Sequence, residues 1–405
     1  MIIAIYFLSL HHIKLCNNIL SPNHMKKGDL EQSIHNASFA ELHCYNGGNQ
    51  VALRHKKYDK SMAKSNPSDG NHFVSVVIPV YNEKNFIEKC IRSVLSQDFP
   101  SDKMEILVMD GMSNDGTPDI IRRLCNEDNR IKLLENPKKY VPSAMNIGIK
   151  AAKGDIIVRM DSHCEYPTNY VSALVEKLIE LDADNVGGMC IMEPANDSVS
   201  SLAVVLCFSH RFGTGSALYK VGCDKITEVD TVPFGCFKKD IFDKVGFYDE
   251  DMHRNEDEEL NARITNHGGK IFIIPEIGIR YTPRDTIGKL SKMLYHYGLW
   301  KPLVNKKVGN AVSYRQFAPP MFFAFFVFGL ILGILFPPIL TIWAFVMIFY
   351  FAIAFAIGVK YAIKHKRASL CIMMPITFFC MHISYGYGYI KGLLFNNSLS
   401  YKIDR

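Results

Sequence analysis

An aspartate and a histidine separated by one residue, Asp161 and His163, follow a short apolar run of the chain. Carboxylate oxygen and imidazole nitrogen both bind divalent metals, and Mn²⁺ accepts this pair more readily than Mg²⁺, which prefers oxygen. The same residue types also suit a turn that ends a strand. The sequence therefore leaves two interpretations open at this point, a divalent-metal site or an ordinary turn.

Two further carboxylates occupy similar positions after apolar runs. Glu83 follows the run 74–80, and Asp110 ends the run 104–110, just as Asp161 ends the run 155–161. Any one of them alone would be an ordinary helix cap or turn residue. Three carboxylates at the carboxyl ends of parallel strands would converge on one crevice, which is where such sheets bind ligands.

A dense acidic cluster, Glu256 to Glu259, lies further along the chain. Acidic residues in the first turn of a helix complement the helix dipole. Adjacent carboxylates also repel one another and raise each other's pKa, which can produce a general base that titrates near neutral pH. Asp257 and Glu256 are therefore candidate catalytic residues, with helix-dipole complementation as the alternative.

The elements that must position these residues alternate between strands and helices. Short β-branched runs predict strands, and apolar residues at helical spacing predict helices. The predicted strands are 74–80, 104–110, 131–136 and 155–161, the predicted helices are 85–97, one from about 117, 146–152 and 168–181, and a strand turns at Gly235 into a helix within 231–246. Strands joined by single helices predict an α/β fold with a mostly parallel sheet. The glycine motifs of dinucleotide oxidoreductases and P-loop NTPases are missing, which argues against both classes.

The C-terminal part of the chain has the composition of a membrane region. No Asp, Glu, Lys or Arg occurs from Gln316 to Val359, a stretch long enough for roughly two bilayer crossings, and Pro337-Pro338 near its middle predicts a turn. We predict spans at 319–336 and 339–358 and a third at 370–390. Because the third contains the aromatic stretch 385–389, it could instead lie along the membrane interface.

Charge and composition set the orientation and exclude some partners. Lysines and arginines flank the first predicted hairpin on both sides, which places both flanks and the large α/β domain in the cytoplasm. The net charge of +6 is modest, and we find no nucleic-acid-binding pattern. The segment 285–304 has apolar residues at helical spacing, which suits an interfacial helix or a helix packed on the sheet. The predicted organisation is a poorly structured lead-in (1–72), an α/β domain (73–283), an interfacial amphipathic segment (284–316), a transmembrane region (317–395) and a tail (396–405).

Five blocks in order carry a family resemblance. They are VSVVIPVYNE, LVMDGMSNDGT, NIGIKAAKGDIIVRMDSH, VPFGCFKKDIFDKVGFYDE and NEDEELNARI. Together, over about residues 75–282, they resemble a family 2 glycosyltransferase with the GT-A fold, and the membrane tail resembles bacterial succinoglycan-type enzymes. The resemblance implies the following roles: Pro79, Tyr81 and Glu83 line the nucleoside, Asp110 accepts a hydrogen bond from the base, Asp161 and His163 hold a metal, and Asp257, with Glu256 beside it, is catalytic.

The resemblance also implies a reaction. This is an inverting transfer of a sugar from a UDP-sugar to a lipid-linked saccharide in surface or exopolysaccharide assembly, with Mn²⁺ or Mg²⁺ as cofactor, at the inner (plasma) membrane. His163 replaces the aspartate usual in the family's metal motif, so it either binds the metal or donates a hydrogen bond to a phosphate. The alternatives are a polyprenyl-phosphate glycosyltransferase and a membrane-tethered nucleotide-sugar-binding protein without activity. The Gln-x-x-Arg-Trp block of processive synthases is absent from 285–304, which favours transfer of a single sugar.

Overall fold

The computed structural model describes residues 72–309 and 313–395. The predicted tail (396–405) lies outside the described residues, and so does the predicted lead-in apart from its last residue. The predictions made for those segments remain predictions.

One mixed sheet organises the described α/β domain. Its strands are β1 (Val74–Val80), β2 (Met104–Asp110), β3 (Ile131–Glu135), β4 (Ile156–Arg159), β5 (Asn185–Met192), β6 (Thr227–Glu228), β7 (Cys236–Lys238) and β8 (Ile271–Tyr281). The spatial order is β3-β2-β1-β4-β7-β5-β8-β6. Neighbours from β3 to β4 and the pair β5–β8 are parallel, whereas β7 is antiparallel to β4 and β5, and β6 to β8. The prediction of a mostly parallel α/β sheet is confirmed.

Helices cover the sheet and extend beyond it. They are α1 (Ile87–Leu95), α2 (Thr117–Glu127), α3 (Val141–Ala151), α4 (Tyr170–Glu180), α5 (Val199–Phe208), α6 (Arg211–Thr214), α7 (Leu218–Val221), α8 (Ile241–Val245), α9 (Glu256–Asn266), α10 (Ile287–Val308), α11 (Ala318–Leu335), α12 (Pro337–His365) and α13 (Leu370–Phe395). Short 3₁₀ turns occupy Ser101–Lys103 and Tyr314–Phe317.

Burial on both faces explains why the first strands read as continuous apolar runs. Every residue of β1 and β2 is buried. Because side chains alternate across a strand, Val76 and Ile78 join the core beneath α1, whereas Val77 joins the opposite core beneath α3. Gly148 lets α3 lie directly on Val77, since a Cβ there would collide with the valine side chain. This two-sided burial fixes the strand ends that carry the candidate site.

One predicted strand was misplaced. The chain forms a strand directly after Gly235, in β7, and residues 231–235 are not a strand. Pro233 lacks the amide hydrogen that a strand ladder needs, and Phe234 has a left-handed backbone with φ 48°. Gly235 then passes against the side chain of Asn185, where a Cβ would not fit. The turn therefore precedes the strand, and β7 enters between β4 and β5.

Three helices are long and apolar enough to cross a membrane. They are Tyr314–Leu335, Pro337–His365 and Leu370–Phe395. The second helix is longer than the predicted span 339–358, and the third helix begins at Leu370, as predicted. Within the described residues the C-terminal helical region therefore has the predicted form.

The amphipathic segment forms a longer helix than predicted. Helix α10 continues beyond residue 304 to Val308 and contains Pro302. Its most extensive packing is against α13, with further contacts to the start of α9 and to α5. Gly298 faces the carbonyl oxygen of Tyr385, and Gly388 faces that of Tyr295. Gly298 and Gly388 thus bring α10 and α13 into close contact, whereas Gly386 faces the carbonyl oxygen of Pro319 in α11.

We expect this contact to be sensitive to a single methyl group. Gly298→Ala places a Cβ on the Tyr385 carbonyl and should lower the free energy of unfolding by about 1–3 kcal/mol, as overpacking does. Gly288→Ala is the matched control in the same helix, because no atom lies within 4 Å of its added Cβ. The control should be neutral or stabilising by up to roughly 1 kcal/mol. Thermal unfolding of both purified variants measures the difference, and equal melting temperatures would contradict the close packing.

Candidate active site

A buried arginine lies at the centre of the candidate site. Arg159 ends β4, and only 4% of the residue is exposed. Its Nε donates to Asp161 Oδ1 at 3.2 Å, and its Nη1 donates to Asp257 Oδ1 and lies 3.5 Å from Glu256 Oε1. One guanidinium therefore joins the carboxylate after β4 to two carboxylates at the start of α9.

The start of α9 is positioned by Asn255. Its backbone is left-handed, with φ 60°, a conformation that asparagine tolerates better than most residues. Its side-chain Nδ2 donates to the carbonyl of Tyr297 at 3.0 Å, which ties the helix start to α10. Asp257 then lies in the first turn with its side chain 31% exposed, so it contacts Arg159 and remains accessible from the crevice.

The four acids of α9 divide into two groups. Glu256 and Asp257 face Arg159, whereas Glu258 forms an ion pair with Lys301 of α10 and Glu259 pairs with Arg263 at 2.7 Å. The ion pairs of Glu258 with Lys301 and of Glu259 with Arg263 are specific structural interactions, so these two acids do more than complement the helix dipole. Only the first two acids are available for chemistry at the end of β4.

Electrostatics give Asp257 the properties of a base. Burial raises the pKa of its carboxyl to about 7; Arg159 opposes this rise, and Glu256, Asp161 and Glu258 add to it. At neutral pH a group with this pKa exists in both protonation states, which suits proton transfer. Arg159 itself stays charged: burial disfavours its cation, but Asp257, Asp161, Tyr248 and Glu256 together outweigh burial and raise its pKa.

The loops that follow β1 and β2 are joined to each other by hydrogen bonds. Asp110 Oδ2 accepts from the Ser113 amide at 3.0 Å, and the Ser113 hydroxyl accepts from the Asn82 amide at 2.8 Å. The other oxygen of Asp110 is buried and has no hydrogen-bond partner within the described residues. A buried acceptor without a donor is costly, so this oxygen is a suitable acceptor for a ligand N–H.

The predicted metal ligand His163 lies close to Glu83. His163 Nδ1 lies 3.7 Å from Glu83 Oε1, and the Glu83 pKa is raised by burial, with His163 opposing the rise. No cluster of three or more metal-binding side chains occurs in the part of the chain that the structure describes. Asp161 and His163 could supply two ligands, and a nucleotide diphosphate and water would have to complete the coordination. The chemistry of this donor pair fits Mn²⁺.

The structure brings most of the predicted residues together. Glu83 and His163 are neighbours, and Asp161 is linked to Asp257 through Arg159. Tyr81 lies just after β1 and packs beside Gly111, next to Asp110. Pro79 is different, because it is buried within β1 and paired with Met109 of β2.

Asn146 of α3 is buried and holds the chain around Tyr248 in place. Its amide donates to the Tyr248 carbonyl and to Glu250, both at 2.9 Å, and accepts from the Tyr248 amide.

Sequence reasoning missed Arg159, although a signal was present. A charged residue within a run of buried apolar residues must find a partner of opposite charge, because an unpaired buried charge is rarely tolerated. The run Ile156-Ile157-Val158 followed by Arg159 thus required a carboxylate nearby. What the sequence did not show was that Asp257 would provide it.

The fold has a relative among solved structures. The mannosyltransferase PcManGT from Pyrobaculum calidifontis, in complex with GDP-Man and Mn²⁺, superposes with a TM-score of 0.54, covering 81% of this chain and 88% of that one at 20% identity. The described chain therefore has a GT-A-type glycosyltransferase fold.

Sequence comparisons identify the family. The glycosyl transferase family 2 model matches residues 75–245. The succinoglycan biosynthesis protein ExoA of Rhizobium meliloti is 30% identical, over 55% of this chain and 67% of ExoA. A dolichyl N-acetyl-alpha-D-glucosaminyl phosphate 3-beta-D-2,3-diacetamido-2,3-dideoxy-beta-D-glucuronosyltransferase of Methanococcus voltae is 28% identical, over 81% of this chain and 99% of that enzyme. The chain belongs to glycosyl transferase family 2.

Proposed function

We propose that this glycosyltransferase transfers one sugar from a UDP-sugar, with inversion, to a saccharide linked to a polyprenyl lipid at the cytoplasmic face of a membrane. The observation that carries the proposal is the network in which Arg159 joins Asp161 to Asp257. This network supports the proposal because it joins a candidate base with a pKa of about 7 to the predicted metal ligand Asp161, near which the donor diphosphate would bind.

Asp257 is the general base of the proposed reaction. An acceptor hydroxyl oxygen attacks the anomeric carbon of the donor sugar, the bond from that carbon to the diphosphate breaks, and the hydroxyl proton passes to Asp257. Arg159 holds the Asp257 carboxylate in place and keeps it partly ionised. Because the base and the leaving group lie on opposite faces of the sugar, the transfer inverts the anomeric centre.

The donor would occupy the ends of β1, β2 and β4. Tyr81 and Glu83 would line the nucleoside, and the unpartnered oxygen of Asp110 would accept a hydrogen bond from the uracil N–H. Asp161 and His163 would hold a divalent metal, which neutralises diphosphate charge when it is bound. Pro79 would contribute through the shape of β1, since it is buried there.

The C-terminal helices support a membrane-linked acceptor. The Methanococcus voltae relative is named for a dolichyl-linked acceptor, and that enzyme matches this chain over 99% of its length. Arg315, before α11, forms a 2.9 Å ion pair with Asp230, and Arg367, after α12, donates to the Asp197 carbonyl. Both ends of the hairpin thus contact the catalytic domain, as expected when the hairpin crosses the membrane twice and returns to the cytoplasmic side.

A direct test is product analysis. Membranes that contain the full chain are incubated with a panel of UDP-sugars and Mn²⁺, and the lipid extract is examined by mass spectrometry. A mass increase of one sugar on a lipid-linked saccharide is the expected result. Release of UDP without any sugar-bearing lipid product would contradict the proposed acceptor, and no UDP release with any donor would contradict the proposed donor class.

The pH dependence follows from Asp257. The base must be ionised to accept a proton, so kcat/KM should rise about tenfold per pH unit below pH 7 and level off above it. UDP binding, measured over the same range, serves as the control and should change much less. A profile that falls as the pH rises through 7 would contradict the assignment of Asp257 as the base.

The predicted metal ligand His163 yields a separate prediction. His163→Ala should weaken Mn²⁺ binding by about tenfold or more, because an imidazole ligand is lost, while the melting temperature stays unchanged since the side chain is 44% exposed. Lys89→Ala is a suitable control, because Lys89 pairs with Glu165 nearby and has no predicted role with the metal. An unchanged Mn²⁺ titration would remove His163 from the ligands and favour its alternative role as a phosphate donor.

A further inference from the structure

A group of three cations lies close to Glu258, the residue that follows Asp257. It consists of Lys220 of α7, Lys301 of α10 and Arg315 before α11, and we name these three residues the cationic group. Burial raises the pKa of Glu258, but the three charges oppose burial and the pKa is lowered. The cationic group therefore lies beside the catalytic acids, and one of its members belongs to α10, the helix that packs against α13.

Two members of the group are already neutralised. Lys301 is 4% exposed and forms an ion pair with Glu258. Arg315 pairs with Asp230 at 2.9 Å and donates to the Ser216 carbonyl at 3.4 Å. Each of these cations has its own carboxylate, so neither requires a further anion.

Lys220 has no such partner. It forms no ion pair and no hydrogen bond with any residue in the described ranges, and its ammonium lies 4.0 Å from the ring centroid of Phe208. The residue is half-buried, so its charge is partly removed from water. A cation–π contact offsets part of that cost, but one positive charge in the group stays without a counter-charge.

The environment of Lys220 favours an anion. Burial lowers the pKa of Lys220 to about 8, with Arg315 and Lys301 acting in the same direction and Cys190 and Glu258 opposing them. An arriving phosphate would restore the full charge of the ammonium by a charge-assisted hydrogen bond. The aromatic side chains of Phe208 and Tyr219 beside the ammonium provide an apolar surface next to the charge.

We propose that Lys220, supported by Lys301 and Arg315, binds the phosphate or diphosphate that joins the acceptor saccharide to its polyprenyl lipid. This subsite rests on the proposed function, because it assumes a lipid-linked acceptor. Its position beside the catalytic acids and near Arg315, which precedes α11, lets the saccharide extend toward the base while the lipid extends toward the apolar helices. Lys220 thus recognises the link between sugar and lipid, and not the donor.

Binding of farnesyl diphosphate tests the subsite. The full-length protein in detergent is first saturated with UDP and Mn²⁺, so that the donor site is filled, and farnesyl diphosphate is then titrated. Lys220→Gln should weaken its binding by about 10- to 100-fold, and Lys220→Arg should keep most of it. Lys225→Gln is the matched control, because Lys225 is exposed in the same segment and should leave binding unchanged.

Three outcomes would overturn the subsite. The first is that wild type and Lys220→Gln bind farnesyl diphosphate equally, and the second is that wild type binds farnesol as well as farnesyl diphosphate. The third is that phosphatidylglycerol displaces farnesyl diphosphate as effectively as unlabelled farnesyl diphosphate does, which would indicate a general anionic-lipid site. UDP binding is measured in the same samples. If UDP fails to bind while farnesyl diphosphate binding depends on Lys220, the proposed donor is wrong and the subsite stands.

Discussion

Replacing Asp257 by asparagine should reduce glycosyl transfer by about 10²- to 10⁴-fold, the usual contribution of a general base. Asparagine has the same shape, and its side-chain oxygen can still accept the hydrogen bond from Arg159, so the local fold should persist. UDP binding should stay within about twofold of wild type, because Asp257 would contact the acceptor and not the nucleotide. Initial rates of sugar transfer and a UDP-binding titration on the same preparation measure both quantities.

Two related variants sharpen this test. Glu256→Gln removes the neighbouring acid, which lies 3.5 Å from Arg159, and should reduce transfer by less than Asp257→Asn. Asp251→Asn is the exposed control, with its side chain 86% accessible, and should behave as wild type. If UDP binding and transfer are lost together in Asp257→Asn, the residue is structural. If transfer is largely retained, the polyprenyl-phosphate alternative gains, because an ionised phosphate acceptor needs little help from a base.

The second large effect should come from Arg159→Met. The guanidinium contacts Asp161, Asp257 and Glu256, and its loss leaves these carboxylates facing one another without a counter-charge. Removing one partner of a buried ion pair typically costs about 3–5 kcal/mol, and we expect the lower end since the carboxylates keep some contact with solvent. Chemical denaturation measures the loss of stability.

The same variant should also move the pH profile. Arg159 lowers the pKa of Asp257, so its removal raises that pKa above about 7 and shifts the rising limb of kcat/KM to higher pH. Arg130→Met is the control, because Arg130 pairs with one partly exposed carboxylate, Asp128, at 2.7 Å and has no contact with the site. The control should cost at most about 1 kcal/mol and leave the profile in place. A lower stability with an unshifted profile would mean that Arg159 does not influence the base.

Some features of this protein follow from local sequence and were predictable for that reason. Strands β1 and β2 have the predicted bounds because a β-branched run buried on both faces is a strong and local pattern. The first two apolar helices that are long enough to cross a membrane follow equally from an uncharged stretch and a Pro-Pro pair, because length and composition are local properties of the sequence. The order of the five motif blocks likewise indicated the family.

Other features depend on contacts between distant parts of the chain. The sequence could not show that Arg159 meets Asp257, 98 residues later, or that Glu258 is taken up by Lys301. Nor could it distinguish the glycines of α13 as a helix-packing surface from an aromatic membrane belt, because the partner carbonyls belong to two other helices, α10 and α11. Local patterns encode which elements form and which residue types are available. The pairing of charges, and with it the pKa of each acid, is decided only when folding brings buried groups within a few ångströms of one another.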